Sequence, residues 1–185
     1  EDKTWSTSQL SEISYYETGG RCHKLFIPQT IEELSENMKE INQIGSKYFI
    51  LGGGTNSLVC DEDYPGCVIS LKGLRQTKEL APFVLYAEAG VSNTEISQAC
   101  LSRHWEGAGW MNALPGQLGG TVRMNARCYG GEISQVVKTV WTVDQLGKTH
   151  RYDQDPNSRK KIFVGYKDTI FMKNKEIIVA ASLQL

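Results

Sequence analysis

Tyr48-Phe49-Ile50-Leu51-Gly52-Gly53-Gly54-Thr55-Asn56-Ser57 runs from an apolar stretch straight into a glycine-rich loop. The apolar part reads as a buried strand. The glycines read as a loop able to lie close against a ligand, because without a Cβ the backbone tolerates φ > 0. Successive N–H groups in such a loop can converge on one concavity, a seat for an anion such as phosphate. Leu114-Pro115-Gly116-Gln117-Leu118-Gly119-Gly120 is a second loop of the same character. One such loop is often only a tight turn; a pair in a small domain points to a ligand with two phosphates.

Two common nucleotide motifs do not account for these loops. Gly52-x-Gly54-x-x-Ser57 comes near the dinucleotide fingerprint, but that motif must open a helix packed on the sheet. Residues 58–64 are instead a short stretch with Asp61, Glu62 and Asp63, lacking an amphipathic period and ending at Pro65. The P-loop pattern, a glycine followed by four residues and then Gly-Lys-Ser/Thr, does not occur. A diphosphate cradle built from loop backbone remains, with Thr55, Asn56 and Ser57 offering side-chain donors.

Length and composition narrow the class. The 185 residues suffice for one domain or for two small lobes sharing a ligand, and 40% hydrophobic and 22% charged residues are ordinary for a globular protein. A formal net charge of −1 and no basic face argue against a nucleic-acid partner. No apolar stretch reaches the roughly 20 residues of a membrane helix, and no basic-then-apolar signal opens the chain, so no membrane role and a cytoplasmic location are expected. Cys22, Cys60, Cys67, Cys100 and Cys128 are odd in number without CxxC spacing, which predicts reduced thiols. His23, His104 and His150 are scattered, so no metal site is expected. Ser92 and Ser134 lack evident partners for a nucleophilic triad. Trp105, Trp110 and Trp141 read as core residues, with Trp110 close enough to the second loop to reach a ligand there.

The pattern along the chain predicts an α+β fold. Residues 1–14 are polar and read as an N-terminal arm. Residues 24–27 form a short strand stopped by Pro28. Thr30 and Glu33 are spaced as a capping box, and Ile31, Leu34, Met38, Ile41 and Ile44 then recur at helical spacing until Gly45. Strands at residues 48–51 and 67–71, the latter after a Tyr64-Pro65-Gly66 turn, complete a βαββ lobe with parallel pairing over residues 15–73. Residues 74–185 read as a second lobe with helices and a mixed or antiparallel sheet. Its parts are a strand at 84–87, a helix from the Ser92/Glu95 capping box to about residue 104, and a short helix within 116–125. A hairpin joins 136–143 to 148–152; a polar loop at 153–161 and a buried strand at 177–181 complete the chain.

Four motifs in order resemble the UDP-N-acetylenolpyruvoylglucosamine reductase (UDP-N-acetylmuramate dehydrogenase) family. They are Thr18-Gly19-Gly20, the loop from Leu51 to Val59, and the segment from Ala113 to Ala126 with Tyr129-Gly130-Gly131-Glu132. The last is Val164-Gly165-Tyr166-Lys167-Asp168-Thr169-Ile170-Phe171. The resemblance implies a two-lobed FAD-binding domain of the vanillyl-alcohol-oxidase/PCMH type, with FAD in the cleft between lobes. It also implies NADPH as reductant and a nucleotide-sugar substrate whose enolpyruvyl ether is reduced to the muramic acid precursor of peptidoglycan. Carried over residue by residue, it assigns cofactor binding to Leu51, Gly52, Gly53, Gly54, Thr55, Asn56, Ser57, Ala113, Leu114, Pro115, Gly116, Gly119, Gly120, Asn125 and Ala126. Tyr166 and Lys167 become the catalytic candidates.

The match departs from the family pattern at three places. Lys167 stands where the family has arginine, and a mobile point charge replaces a planar bidentate fork. Arg127 stands where Asn-Ala-Gly is usual, either as a compensating cation or as a solvated loop residue. The resemblance also implies a C-terminal substrate domain that supplies a serine proton donor and a late glutamate, and the 185 residues read here are expected to lack it. The chain is therefore expected to bind flavin without completing turnover. A flavin-binding module without reductase activity, or a flavin subunit of another oxidoreductase, stays open as an alternative.

Overall fold

β1 (Cys22–Phe26), α1 (Ile31–Gln43), β2 (Tyr48–Leu51) and β3 (Tyr64–Ser70) build a parallel sheet in the order β1-β3-β2. The structure, a computed structural model, describes residues 8–155 and 161–185. Central β3 is buried from Gly66 to Ser70, as a parallel strand covered on both faces must be. Leu34, Met38 and Ile41 form the buried stripe of α1, each side chain worth about 1.5–3 kcal/mol on burial. The cap differs from the predicted box in one bond. Thr30 accepts from the Glu33 amide, but the Glu33 carboxylate accepts from Gln29 instead of Thr30. Ile44 falls beyond the helix and is exposed.

Tyr64-Pro65-Gly66 is strand, which corrects the expected turn. Tyr64 pairs with Cys22 and Cys67 with Lys24, so a bulge absorbs the extra residue at Pro65, which has no N–H for the ladder. The arm expected over residues 1–14 is corrected where described. Leu10 is buried, and the amides of Leu10 and Ser11 donate to the carbonyls of Gly20 and Gly19. Residues 1–7 lie outside the described residues.

A second, antiparallel sheet has the order β4-β5-β12-β8-β9. Its strands are β4 (Thr77–Ala81), β5 (Val84–Glu88), β8 (Val137–Val143), β9 (Thr149–Asp153) and β12 (Ile177–Gln184). α2 (Asn93–Leu101), with its complete Ser92/Glu95 capping box, and α3 (Leu118–Arg123) pack on one face. Two small hairpins, β6 (Arg127–Cys128) with β7 (Gly131–Glu132) and β10 (Phe163–Gly165) with β11 (Asp168–Thr169), come after α3 in sequence. β4 was not expected: all five of its residues are exposed, so an edge strand paired only through its backbone leaves no apolar signature. The polar loop expected at 153–161 lies partly outside the described residues, at 156–160. Gly147-Lys148-Thr149 lies at the β8–β9 connection, with Thr142 where a P-loop would need its first glycine.

β12 joins the two lobes. Ile177 and Val179 pack in the core beneath α1 with Leu34, Met38 and Ile69. Ile178, Ala181 and Leu183 pack in the other core with Ile96, Leu118, Val122 and Phe171. Its near-continuous apolar run has two covered faces for that reason.

Candidate functional site

A cleft of about 960 Å³ opens between the two sheets and brings both glycine loops together. Gly52 to Ser57 line one side, and Leu114, Pro115, Gly116, Gly119 and Gly120 the other. Gly54 has φ +73 and Gly116 φ +113, conformations that only glycine adopts without strain. The loops touch: Thr55 Oγ1 donates to the Pro115 carbonyl at 3.5 Å, and a Cβ on Gly116 would lie 2.9 Å from Thr55 Oγ1. Tyr16 braces the first loop by donating to the Thr55 carbonyl. The successive amides of Gly53, Gly54, Thr55 and Asn56 find no acceptor among the described residues, as expected of a nest open to an anion.

Leu51 and Ala113, assigned to the cofactor by the resemblance, do not line the cleft. Leu51 is buried against Leu10, Cys22 and Val68, and Ala113 is exposed outside it. Thr18-Gly19-Gly20 is also remote; the Gly19 and Gly20 amides hold Asp61 and the Cys60 carbonyl. Trp110 faces away, donating to the Gly107 carbonyl and packing so tightly on Gly131 that no Cβ fits there.

Beyond α3 the cleft is lined by Asn125, Ala126, Arg127, Tyr166 and Lys167. Asn125 is buried at φ +42, and its amide group donates to Glu132 Oε1 at 2.6 Å and to the Gly165 carbonyl at 3.0 Å. Two acceptors thus fix the orientation of the amide, and Asn125 Oδ1 is left buried with no donor among the described residues. Hydrogen bonds from Ser134 and Asn125, and the charge of Arg127, hold the Glu132 carboxyl below its ordinary range. Arg127 pairs with Glu132 at 2.9 Å, and its guanidinium stacks over the Tyr166 ring at 4.5 Å. Lys167, in the β10–β11 turn at φ +52, sets its ammonium 5.4 Å from the centroid of the same ring. Arg127 is thereby part of the cleft wall, beside Lys167.

Gln117 and Arg123 are among the lining residues that escaped the sequence reading. Gln117 carries a buried Oε1 with no donor among the described residues, and Arg123 is a half-buried cation whose pKa burial pushes down. Gln117 stands inside the second glycine loop and was the readable one. Arg123, in the last turn of a short helix, looks like any solvated residue until the cleft is built around it.

These residues fit FAD. The unpaired amides suit a diphosphate, the orphaned oxygens of Gln117 and Asn125 suit the donors of a ribityl chain or ring, and the volume lies in the usual ligand range of roughly 300–1,000 Å³. Among the described residues no helix is long and apolar enough to cross a membrane, and no group of His, Cys, Asp and Glu could hold a metal ion.

Comparison with known proteins agrees with this geometry. The chain is 30% identical over 176 residues to the UDP-N-acetylenolpyruvoylglucosamine reductase of Carboxydothermus hydrogenoformans, covering 95% of this chain and 57% of that protein. It is 36% identical over 167 residues to the reductase of that name from Trichlorobacter lovleyi, covering 90% and 53%. The chain therefore spans little more than half the length of these relatives. Among solved structures, UDP-N-acetylenolpyruvylglucosamine reductase from Thermus caldophilus superposes with a TM-score of 0.76 at 23% identity, covering 97% of this chain and 61% of the other. A variant of Phl p 4, a glucose oxidase, gives 0.62 at 14% identity, covering 86% and 34%. Both share the fold, the two-lobed α+β architecture expected from the motifs. The family model described as FAD binding domain matches residues 23–153, and the chain belongs to that family of FAD-binding domains.

Proposed function

We propose that this chain is the FAD-binding part of an NADPH-dependent reductase that converts UDP-N-acetylglucosamine enolpyruvate to UDP-N-acetylmuramate for peptidoglycan synthesis. The observation that carries the reading is the nest of unpaired amides from Gly53 to Asn56, abutting Gly116 in a cleft of cofactor size. The names of the relatives support the choice of substrate. In this reading the lobes divide near residue 73, and the reaction belongs in the cytoplasm with its soluble nucleotide-sugar and NADPH.

When bound, FAD supplies the ring that accepts and returns a hydride. The chain's own contribution is binding, orientation and charge. The two glycine loops hold the diphosphate, and Gln117 Oε1 and Asn125 Oδ1 accept from donors further along the cofactor. Tyr166, with the Arg127 guanidinium and the Lys167 ammonium both over its ring, lines the cleft. A carboxylate-bearing substrate entering there meets two cations, and Lys167 is the group available to oppose charge that develops as hydride adds to the double bond.

The test is direct. The full-length gene product is purified and examined for flavin absorbance after incubation with FAD or FMN. NADPH oxidation is then measured with and without UDP-N-acetylglucosamine enolpyruvate. FAD uptake with substrate-dependent NADPH oxidation supports the proposal. FAD uptake without substrate-dependent oxidation retires the reductase reading and leaves a flavin-binding module.

A further inference from the structure

Arg123 ends α3 and lines the cleft half-buried. Its guanidinium donates to the Phe171 carbonyl at 2.5 Å, and no carboxylate lies within ion-pair distance of it among the described residues. Two acids at or beside the cleft are committed elsewhere. Glu132 serves Arg127, Asn125 and Ser134, and Glu176 accepts from Thr142 and Tyr152. A desolvated cation without a counter-charge is costly, so its presence in a ligand cleft calls for negative charge from the ligand.

Its position says which part of the ligand. α3 starts directly after Gln117 of the second loop, and from Leu118 to Arg123 a helix advances about 7–8 Å. That is comparable with the five-carbon ribityl chain that separates the phosphates of FAD from its ring. We propose that Arg123 faces the isoalloxazine of bound FAD and stabilises the negative charge of the reduced ring, and so sets the cofactor's reduction potential. The proposal rests on the FAD reading of the cleft. Uptake of two electrons and one proton takes the neutral ring to a net charge of −1, and a guanidinium in a low-dielectric site favours that form. Arg127 and Lys167 are less suited: both are exposed, and Arg127 is already neutralised by Glu132.

The FAD-loaded full-length protein is titrated with dithionite against a reference dye, for wild type, Arg123→Met and Arg123→Lys. Arg123→Met should weaken the reduced form relative to the oxidised form at least tenfold, lowering the midpoint by about 30 mV or more for a two-electron couple. Arg123→Lys should keep a midpoint between the two, since it retains the charge but not the fork. An unchanged midpoint in Arg123→Met with FAD still bound overturns the proposal and leaves Arg123 as a brace for Phe171. Loss of FAD from both variants also overturns it, making Arg123 an anchor of the oxidised cofactor. Wild-type protein that takes up no FAD defeats the cofactor reading itself, a result distinct from the other two.

Discussion

Gly53 and Gly116 abut where the two loops meet in the cleft: a Cβ on Gly53 would lie 3.2 Å from the Gly116 Cα. The atom in the way is backbone, which cannot swing aside as a side-chain tip can. The two loops therefore meet at backbone contact and line one cradle, an approach that holds only while both positions stay bare.

Gly53→Val should lower FAD affinity by at least about tenfold while far-UV circular dichroism stays native, because the branched side chain wedges the loops apart and covers the open amides. Gly116→Ala adds backbone strain at φ +113, on the order of 1–3 kcal/mol, and should lower both affinity and stability. Titration of flavin absorbance and fluorescence checks both. Wild-type affinity in Gly53→Val would show that the diphosphate lies elsewhere.

Lys167→Ala in the full-length protein should lower kcat by roughly a hundredfold, the effect of losing about 3 kcal/mol of stabilisation on a developing anion. Lys167→Arg should restore or raise the rate, since the neighbouring Arg127 already shows that a guanidinium packs on Tyr166. Steady-state kinetics at saturating NADPH and substrate decide it. An alanine variant as fast as wild type removes Lys167 from the chemistry.

Leu34→Ala should cost about 2–5 kcal/mol, as a fully buried α1 residue in the core that β12 shares between the lobes. Because Val179 and Leu34 sit in that one core, both sheets should melt together. Coincident denaturation curves from tryptophan fluorescence and from circular dichroism would show this. Separate transitions would mean that the shared core does not couple the lobes.

Glu88 makes stability depend on pH in an unusual direction. Burial raises its carboxyl above the ordinary 4.5 and the charge of Glu32 adds to this, while the Gln76 amide and Lys78 hold it down. The folded state thus binds this proton more tightly than the unfolded chain does. Its contribution is full below the unfolded value and is lost as pH rises through the raised one. Glu88→Gln keeps an acceptor for Gln76 without the charge, so its urea midpoint should exceed wild type at about pH 7 and converge with it near pH 4. A constant difference across that range would count against the shift.

Much of this fold was legible because its signals are local. Thr30 and Ser92 announce helices within three residues of themselves, and the α1 stripe repeats at the helical period. The Tyr64-Pro65-Gly66 segment misled, since proline and glycine signal turns while a bulge beside β1 admits them to a strand. β4 left no signal because exposed edge residues carry no alternation.

Chain chemistry alone determined that residues 52–57 and 114–120 form glycine loops, because left-handed φ and open amides depend on a residue and its immediate neighbours. Only the tertiary structure decided that Gly53 meets Gly116, that β12 serves two cores, that Trp110 turns away from the cleft and that Arg123 lines it without a counter-charge among the described residues. Those outcomes depend on which surfaces exclude water together, and residues distant in sequence acquire a common environment only when packing brings their elements into contact.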